Sequence, residues 1–242
     1  MEKVLFNDTD KGFKVIVNEV YESKPIIVIF PGGSYTHLST REAIPVSNKF
    51  IELGYNTAIV YYSVAPFANY IQEKQANLVI KTLSEKFKDI FVLGFSAGGH
   101  LAGLTATQEN VYNIKGMLLS YPVISLNYYT HKGTQENFLK ENNNLANQEK
   151  YSIHNRVNKN TVPCFIWSTI DDEAVPYENT LMMVDALKKN GVFHKCVLFP
   201  SGPHGMALAD ESAILNGNLA YVNKEVAKWV NMADDFIKKV IK

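Results

Sequence analysis

The chain has 242 residues, with 24 Lys plus Arg balanced by 24 Asp plus Glu. That length suits one domain of the larger kind with a sizeable core. A net charge of zero gives no electrostatic case for nucleic acid or an anionic membrane as partner. No apolar run approaches a membrane span, and the opening Met1-Glu2-Lys3-Val4 lacks the design of a secretory signal, so a cytoplasmic protein is expected. Cys164 and Cys196 lie in apolar, strand-like runs and read as buried thiols rather than a disulfide.

Phe13 to Val20 alternates as a strand, and Val4-Leu5-Phe6 is expected to pair with it as an antiparallel edge. Ile26 to Phe30 is a continuous apolar run, the pattern of a strand buried on both faces. It ends in Pro31-Gly32-Gly33-Ser34-Tyr35, a turn that lets backbone approach a ligand. Ser39-Thr40-Arg41-Glu42 has the form of a capping box. Pro45 conflicts with that box unless the helix kinks or begins near Ile44. That helix is expected to end by Gly54.

Thr57 to Tyr62 reads as the next strand, and Ile71 to Phe87 has helical spacing with Asn69 as N-cap. Ile90 to Leu93 is again apolar and β-rich, and leads into Gly94-Phe95-Ser96-Ala97-Gly98-Gly99-His100. This is G-x-S-x-G between a strand and a helix, the context that lifts a serine hydroxyl clear of a sheet. Lys115 to Ser120 is a strand. From about Val123 to Asn160, Asn, Gln, Tyr and Lys dominate. The segment is too long for a structureless loop and is expected to form short helices lying over the sheet. Pro163 to Thr169 and Lys195 to Phe199 return to strand. Tyr177 to Lys189 is helical, with Pro176 near its first turn, and Tyr221 to Ile241 reads as one closing amphipathic helix.

Strands alternating with helices imply an α/β protein with a mostly parallel central sheet covered on both faces. Its ligand site is expected at the carboxyl ends of the strands, in the loops at 31–37, 96–100, 168–176 and 200–206. Ser96 needs a base and the base an orienting acid. His204, in the Gly/Pro-rich loop after the last strand, is the expected base. His131 and His154 fall in the polar insertion and read as solvated, while His194 begins a strand. His37 lines the pocket, and His100 makes a packing hydrogen bond. Asp171 and Asp172 both follow the Thr169 strand, in the chain order Ser, acid, His. Ala97 N–H supplies one oxyanion donor, with Gly33 and Ser34 the source of the others. Tyr35 and His37 are expected where an acyl chain would lie. No histidine pair has zinc-ligand spacing on a helix, so no metal is expected.

These motifs together resemble the α/β-hydrolase superfamily, and within it the small bacterial acetyl-esterase, acetyl-xylan-esterase and lipase-like group. The residues that carry the resemblance are Pro31 to Tyr35, Tyr61-Tyr62-Ser63-Val64-Ala65-Pro66, Gly94 to Ala102, Asp172 to Asn179 and Phe199 to Met206. The family register places the acid four residues before the proline of the Val-Pro pair, on Asp172. Ser34 stands where a third glycine is commoner, and Pro31 where a histidine often precedes the glycines. Both departures resemble the acetyl-xylan-esterase subtype, and the Ser34 hydroxyl is a further candidate donor. The resemblance implies a serine carboxylesterase acting on small acyl esters, with a Ser96-His204-Asp172 triad, no cofactor and a small-molecule ester as partner. It leaves the oligomeric state open. The 123–160 insertion is expected to set the alcohol specificity. The alternatives are a peptidase of the same fold, which usually carries an additional large domain for which this length leaves no room, and a hydrolase-fold binding protein.

Overall fold

The computed structural model describes residues 2–67, 70–109 and 111–242. The Asn69 cap expected from the sequence lies outside the described residues.

Among the described residues, eight strands form one sheet: β1 (Glu2–Asp8), β2 (Phe13–Asn18), β3 (Ile26–Phe30), β4 (Asn56–Tyr61), β5 (Ile90–Phe95), β6 (Ile114–Ser120), β7 (Cys164–Thr169) and β8 (His194–Phe199). Their order is β1-β2-β4-β3-β5-β6-β7-β8. β1 pairs with β2, and β2 with β4, antiparallel; every later pairing is parallel. The sequence pattern follows this layout. β2, near the edge, alternates buried and half-buried residues. β3 and β5, in the middle, are buried at every position because helices cover both faces.

The helices are α1 (Ile44–Glu52), α2 (Ile71–Ser84), α3 (Ser96–Ala106), α4 (Lys132–Leu139), α5 (Leu145–Lys150), α6 (Glu178–Lys189) and α7 (Trp229–Val240). One core layer joins one sheet face to α2, α3, α6 and the insertion, through residues such as Val79, Leu101, Phe138 and Met183. The other joins the opposite face to α1 and α7 through Phe50, Trp229 and Phe236. Among the described residues, no helix is long and apolar enough to cross a membrane. Cys164 and Cys196 are both free thiols, and burial raises the pKa of each.

Two local expectations are corrected. The capping box at Ser39–Glu42 does not form: Thr40–Glu42 is a single 3-10 turn without a side-chain cap, and α1 starts at Ile44 with Pro45 in its first turn, where a missing N–H costs nothing. The closing helix does not run from Tyr221. Short 3-10 turns occupy Leu219–Tyr221 and Val226–Lys228, and α7 begins only at Trp229. Asn223 is the reason, because its side chain accepts the N–H groups of Glu225 and Val226 while its own N–H bonds to Ala209 O. That local turn competes with helix.

Candidate active site

Ser96 stands at the junction of β5 and α3 with φ of 53°. A non-glycine residue in that left-handed region is strained, and here the strain turns the hydroxyl out of the sheet. The turn is possible because its neighbour is small: a Cβ at Gly98 would fall 2.1 Å from Phe30 O. The Ser96 carbonyl is fixed by the Val123 N–H at 3.1 Å.

Ser96 Oγ lies 2.8 Å from His204 Nε2, and His204 Nδ1 lies 2.7 Å from Asp172 Oδ2. With the Nδ1 proton donated to Asp172, Nε2 keeps a lone pair to accept the serine hydroxyl. The Asp172 side chain is wholly inaccessible. Its second oxygen accepts the Ala174 and Val175 N–H groups, each at 2.9 Å, so the carboxylate is fixed before it meets the imidazole. The neighbouring Asp171 points outward and does a different job. It accepts the Ser201 hydroxyl and the Gly202 N–H, both at 2.7 Å. Those bonds, the hydroxyl first, hold its carboxyl below the usual range. The two aspartates thus fasten the same loop, one from inside and one from the surface.

The turn after β3 approaches Ser96 from the other side. Gly33 has φ of 132°, and its carbonyl accepts the N–H groups of Thr36 and His37. Gly33 and Ser34 both line the cleft with Ser96. Ala97 is in the first turn of α3, where no intrahelical acceptor exists. Gly33, Ser34, His37, Leu38, Arg41 and Leu215 are among the residues that, with Ser96 and His204, line a cavity of about 320 Å³.

Tyr35 is a correction. Its ring is fully buried against Tyr62 and Phe138, and its hydroxyl is 2.9 Å from His100 Nδ1. Positive φ at both Ser34 and Tyr35 turns this side chain inward, out of reach of a substrate. His100 completes the packing pair with a 2.8 Å bond from Nε2 to Tyr151 O, and burial pushes its pKa down to about 4. His131 and His154 are not solvated either. Both are half-buried and burial lowers their pKa. His131 Nδ1 caps α4 by accepting Thr134 N–H, and the ring feels both His204 and Asp172. The site therefore has one histidine neighbour from the insertion that composition alone disguised.

Two residues at the site escaped the sequence reading. Tyr121 stands edge-on to the His204 ring at 5.1 Å, and Glu42, only 3% exposed, reaches both Tyr121 and Gly32. Their partners are far apart in the chain, so no local pattern announces them. Among the described residues, no group of three or more His, Cys, Asp or Glu is placed to hold a metal ion.

Comparison with known proteins agrees with this geometry. Residues 72–238 match the prolyl oligopeptidase family. An acetylxylan esterase of Xylanibacter ruminicola is 31% identical over 223 residues, covering 84% of this chain and 46% of its own length. The chain spans between 33% and 46% of the curated relatives it matches. A sugar hydrolase from Lactococcus lactis superposes with a TM-score of 0.86 at 30% identity, covering 100% of this chain and 98% of that one. An acetyl ester-xyloside bifunctional hydrolase from Caldicellulosiruptor lactoaceticus gives 0.85 at 29%, covering 99% and 96%. With this match and this architecture, the chain belongs to the prolyl oligopeptidase family of serine hydrolases and has the α/β-hydrolase fold.

Proposed function

We propose that the protein is a serine carboxylesterase of small acyl esters, acetyl esters above all, including acetyl groups carried on sugars or xylo-oligosaccharides. The observation that carries this reading is the unbroken hydrogen-bonded run from Asp172 through His204 to Ser96 at an open cleft. Ser96 Oγ attacks the ester carbonyl as His204 Nε2 takes its proton. Asp172 holds the imidazole in the right tautomer and steadies its positive charge. The Ala97, Gly33 and Ser34 amides stabilise the developing oxyanion. His204 then protonates the departing alcohol, and a water activated by the same imidazole releases the acid.

The short-acyl preference is supported by what lines the cleft. Leu38 and Leu215 are its aliphatic side chains, beside Ser34, His37, Ser39, Thr40 and Arg41. A lipase would collect about 0.8 kcal/mol for each methylene buried, and two leucines offer little of that. The acetylxylan esterase and the acetyl ester-xyloside hydrolase named above support the sugar-ester alternative among alcohols.

The family also contains peptidases, which gives the second reading its one support. Against it, the carboxylate that lines the Ser96 cavity, Glu42, is buried with both oxygens engaged and offers no anchor there to a peptide amino terminus. The test is a p-nitrophenyl ester series by acyl length, then acetylated sugars and peptidyl p-nitroanilides, with fluorophosphonate labelling of Ser96. Highest kcat/KM is expected for acetyl or propionyl esters, with a steep fall beyond butyryl. Efficient octanoyl turnover points to a lipase, and preferred anilide cleavage to a peptidase. Absence of both labelling and turnover points to a binding protein.

A further inference from the structure

Glu42 is a buried carboxylate in the centre of this site that the reaction scheme does not use. Burying such a group is costly unless strong hydrogen bonds replace its water. Its two oxygens have such bonds: Oε2 accepts Gly32 N–H at 2.7 Å, and Oε1 accepts the Tyr121 hydroxyl at 2.8 Å. Each donor belongs to a different part of the machinery. Gly32 immediately precedes Gly33 and Ser34 and is packed against the elbow, since a Cβ placed on it would lie 3.0 Å from Ser96 Cβ. Its carbonyl is tied as well, by Ser39 N–H at 2.9 Å. Tyr121 supports the histidine side. Its ring stands edge-on to His204, and its hydroxyl oxygen accepts Ala207 N–H at 2.8 Å, three residues past the imidazole.

We infer that Glu42 is a positioning residue that locks the oxyanion turn and the His204 loop into one frame around Ser96. This rests on the esterase reading above. The turn has two peptides at positive φ after Gly33, so its amides hold their aim only if its base is fixed. Glu42 fixes that base from inside, through Gly32, and transmits the same constraint through Tyr121 to the loop of the base. An oxyanion hole acts by being aimed in advance at charge that appears only in the transition state. Losing the frame should therefore reduce turnover and leave ground-state binding alone.

The experiment compares wild type with Glu42→Gln, which keeps an acceptor oxygen for Gly32 but cannot accept from both donors. Three quantities are measured: kcat and KM on p-nitrophenyl acetate, and the Ki of an aryl trifluoromethyl ketone. Ser96 Oγ adds to the ketone carbon, its proton passes to His204, and the resulting oxyanion occupies the hole. The expected result is a drop in kcat of about ten- to a hundredfold with a matching rise in Ki, while KM and the circular dichroism stay as in wild type. A folded Glu42→Gln with kcat and Ki within about twofold of wild type, or with its loss confined to KM, overturns the inference. Should that variant fail to fold, Tyr121→Phe carries the same readout, with a paired loss of roughly three- to tenfold expected and no change overturning it. A wild-type protein that neither hydrolyses the ester nor binds the ketone overturns the esterase reading itself, and this inference with it.

Discussion

Two regions flank Ser96, and they use their polar residues in opposite ways. The 123–160 insertion looks like a substrate-binding surface in composition, yet it is occupied with itself and the core. Asn144 caps α5, Asn127 and Asn155 both bind Glu149, and Gln135 donates to Leu126 O. Beneath these, Phe138, Leu139, Tyr151 and Ile153 are buried. The short 31–42 turn looks like a connector, yet together with Gly205 and Leu215 it forms the cleft wall, and no residue of 123–160 lines that cavity. The turn and the loop after His204 stand beside Ser96 in that cavity, while the insertion meets the site through His131, whose ring feels both His204 and Asp172. An abundance of amides says that backbone and helix ends need partners, and it says nothing about where a ligand lies.

The largest effect should come from the elbow itself. Ser96→Ala is expected to lower kcat by roughly four to six orders of magnitude with the melting curve unchanged. A mutant keeping a tenth of wild-type activity would remove Ser96 from the reaction. Asp172→Asn should cost on the order of a thousandfold in kcat, because it removes the acceptor that sets the His204 tautomer. Asp171→Asn, at a carboxyl that accepts from Ser201 and Gly202 rather than from His204, should cost far less. The reverse ranking in steady-state kinetics would exchange their roles.

The insertion should answer with stability instead. Phe138→Ala is expected to cost about 3–5 kcal/mol of unfolding free energy in urea titration, since the ring contacts Tyr35, Tyr70, His100 and Tyr151. Acid should loosen the same joint. Burial holds His100 as a neutral imidazole with its pKa at about 4, below the roughly 6.5 of an unfolded chain. The unfolded state then binds the extra proton first, so stability falls as pH drops from about 6.5 towards 4 and levels off below that. Urea titrations at pH 7 and pH 5 should differ by about 2 kcal/mol from this group alone. The smallest effect sharpens the comparison most directly. Leu215→Ala should change the ratio of kcat/KM between two acetyl esters of different alcohols by about three- to tenfold, whereas Leu145→Ala, 63% exposed on the insertion, should leave it within about twofold.

Much of this molecule is legible in its sequence where the causes are local. Ile26 to Phe30 reads as a doubly buried strand because five apolar residues in a row have no solvent face. The strand–elbow–helix joint reads from the spacing of Gly94, Ser96 and Gly98. Asp172 was separable from Asp171 only through the family register, because two adjacent carboxylates look alike until one is buried. The role of Glu42 is hidden because Ser-x-x-Glu is a local signal, while its partners lie 10 and 79 residues away. The inward course of Tyr35 is hidden because it accompanies two consecutive positive φ angles, and nothing in Ser-Tyr announces them. The α7 boundary moved because one asparagine, Asn223, found a better use for the backbone than a helix.

The paired aspartates have a mechanical consequence. Asp171 grips Ser201 and Gly202, Thr169 Oγ1 donates to Gly202 O at 2.7 Å, and Asp172 grips His204. Acid and base are therefore carried on two loops stitched together at the carboxyl ends of β7 and β8, so that a displacement of one is passed to the other. The nucleophile belongs to another body, the elbow of β5 and α3. Of the two hydrogen bonds in the triad, the one between Asp172 and His204 lies within the stitched loops, and the one between His204 and Ser96 spans two units that Glu42 and Tyr121 tie together from beneath.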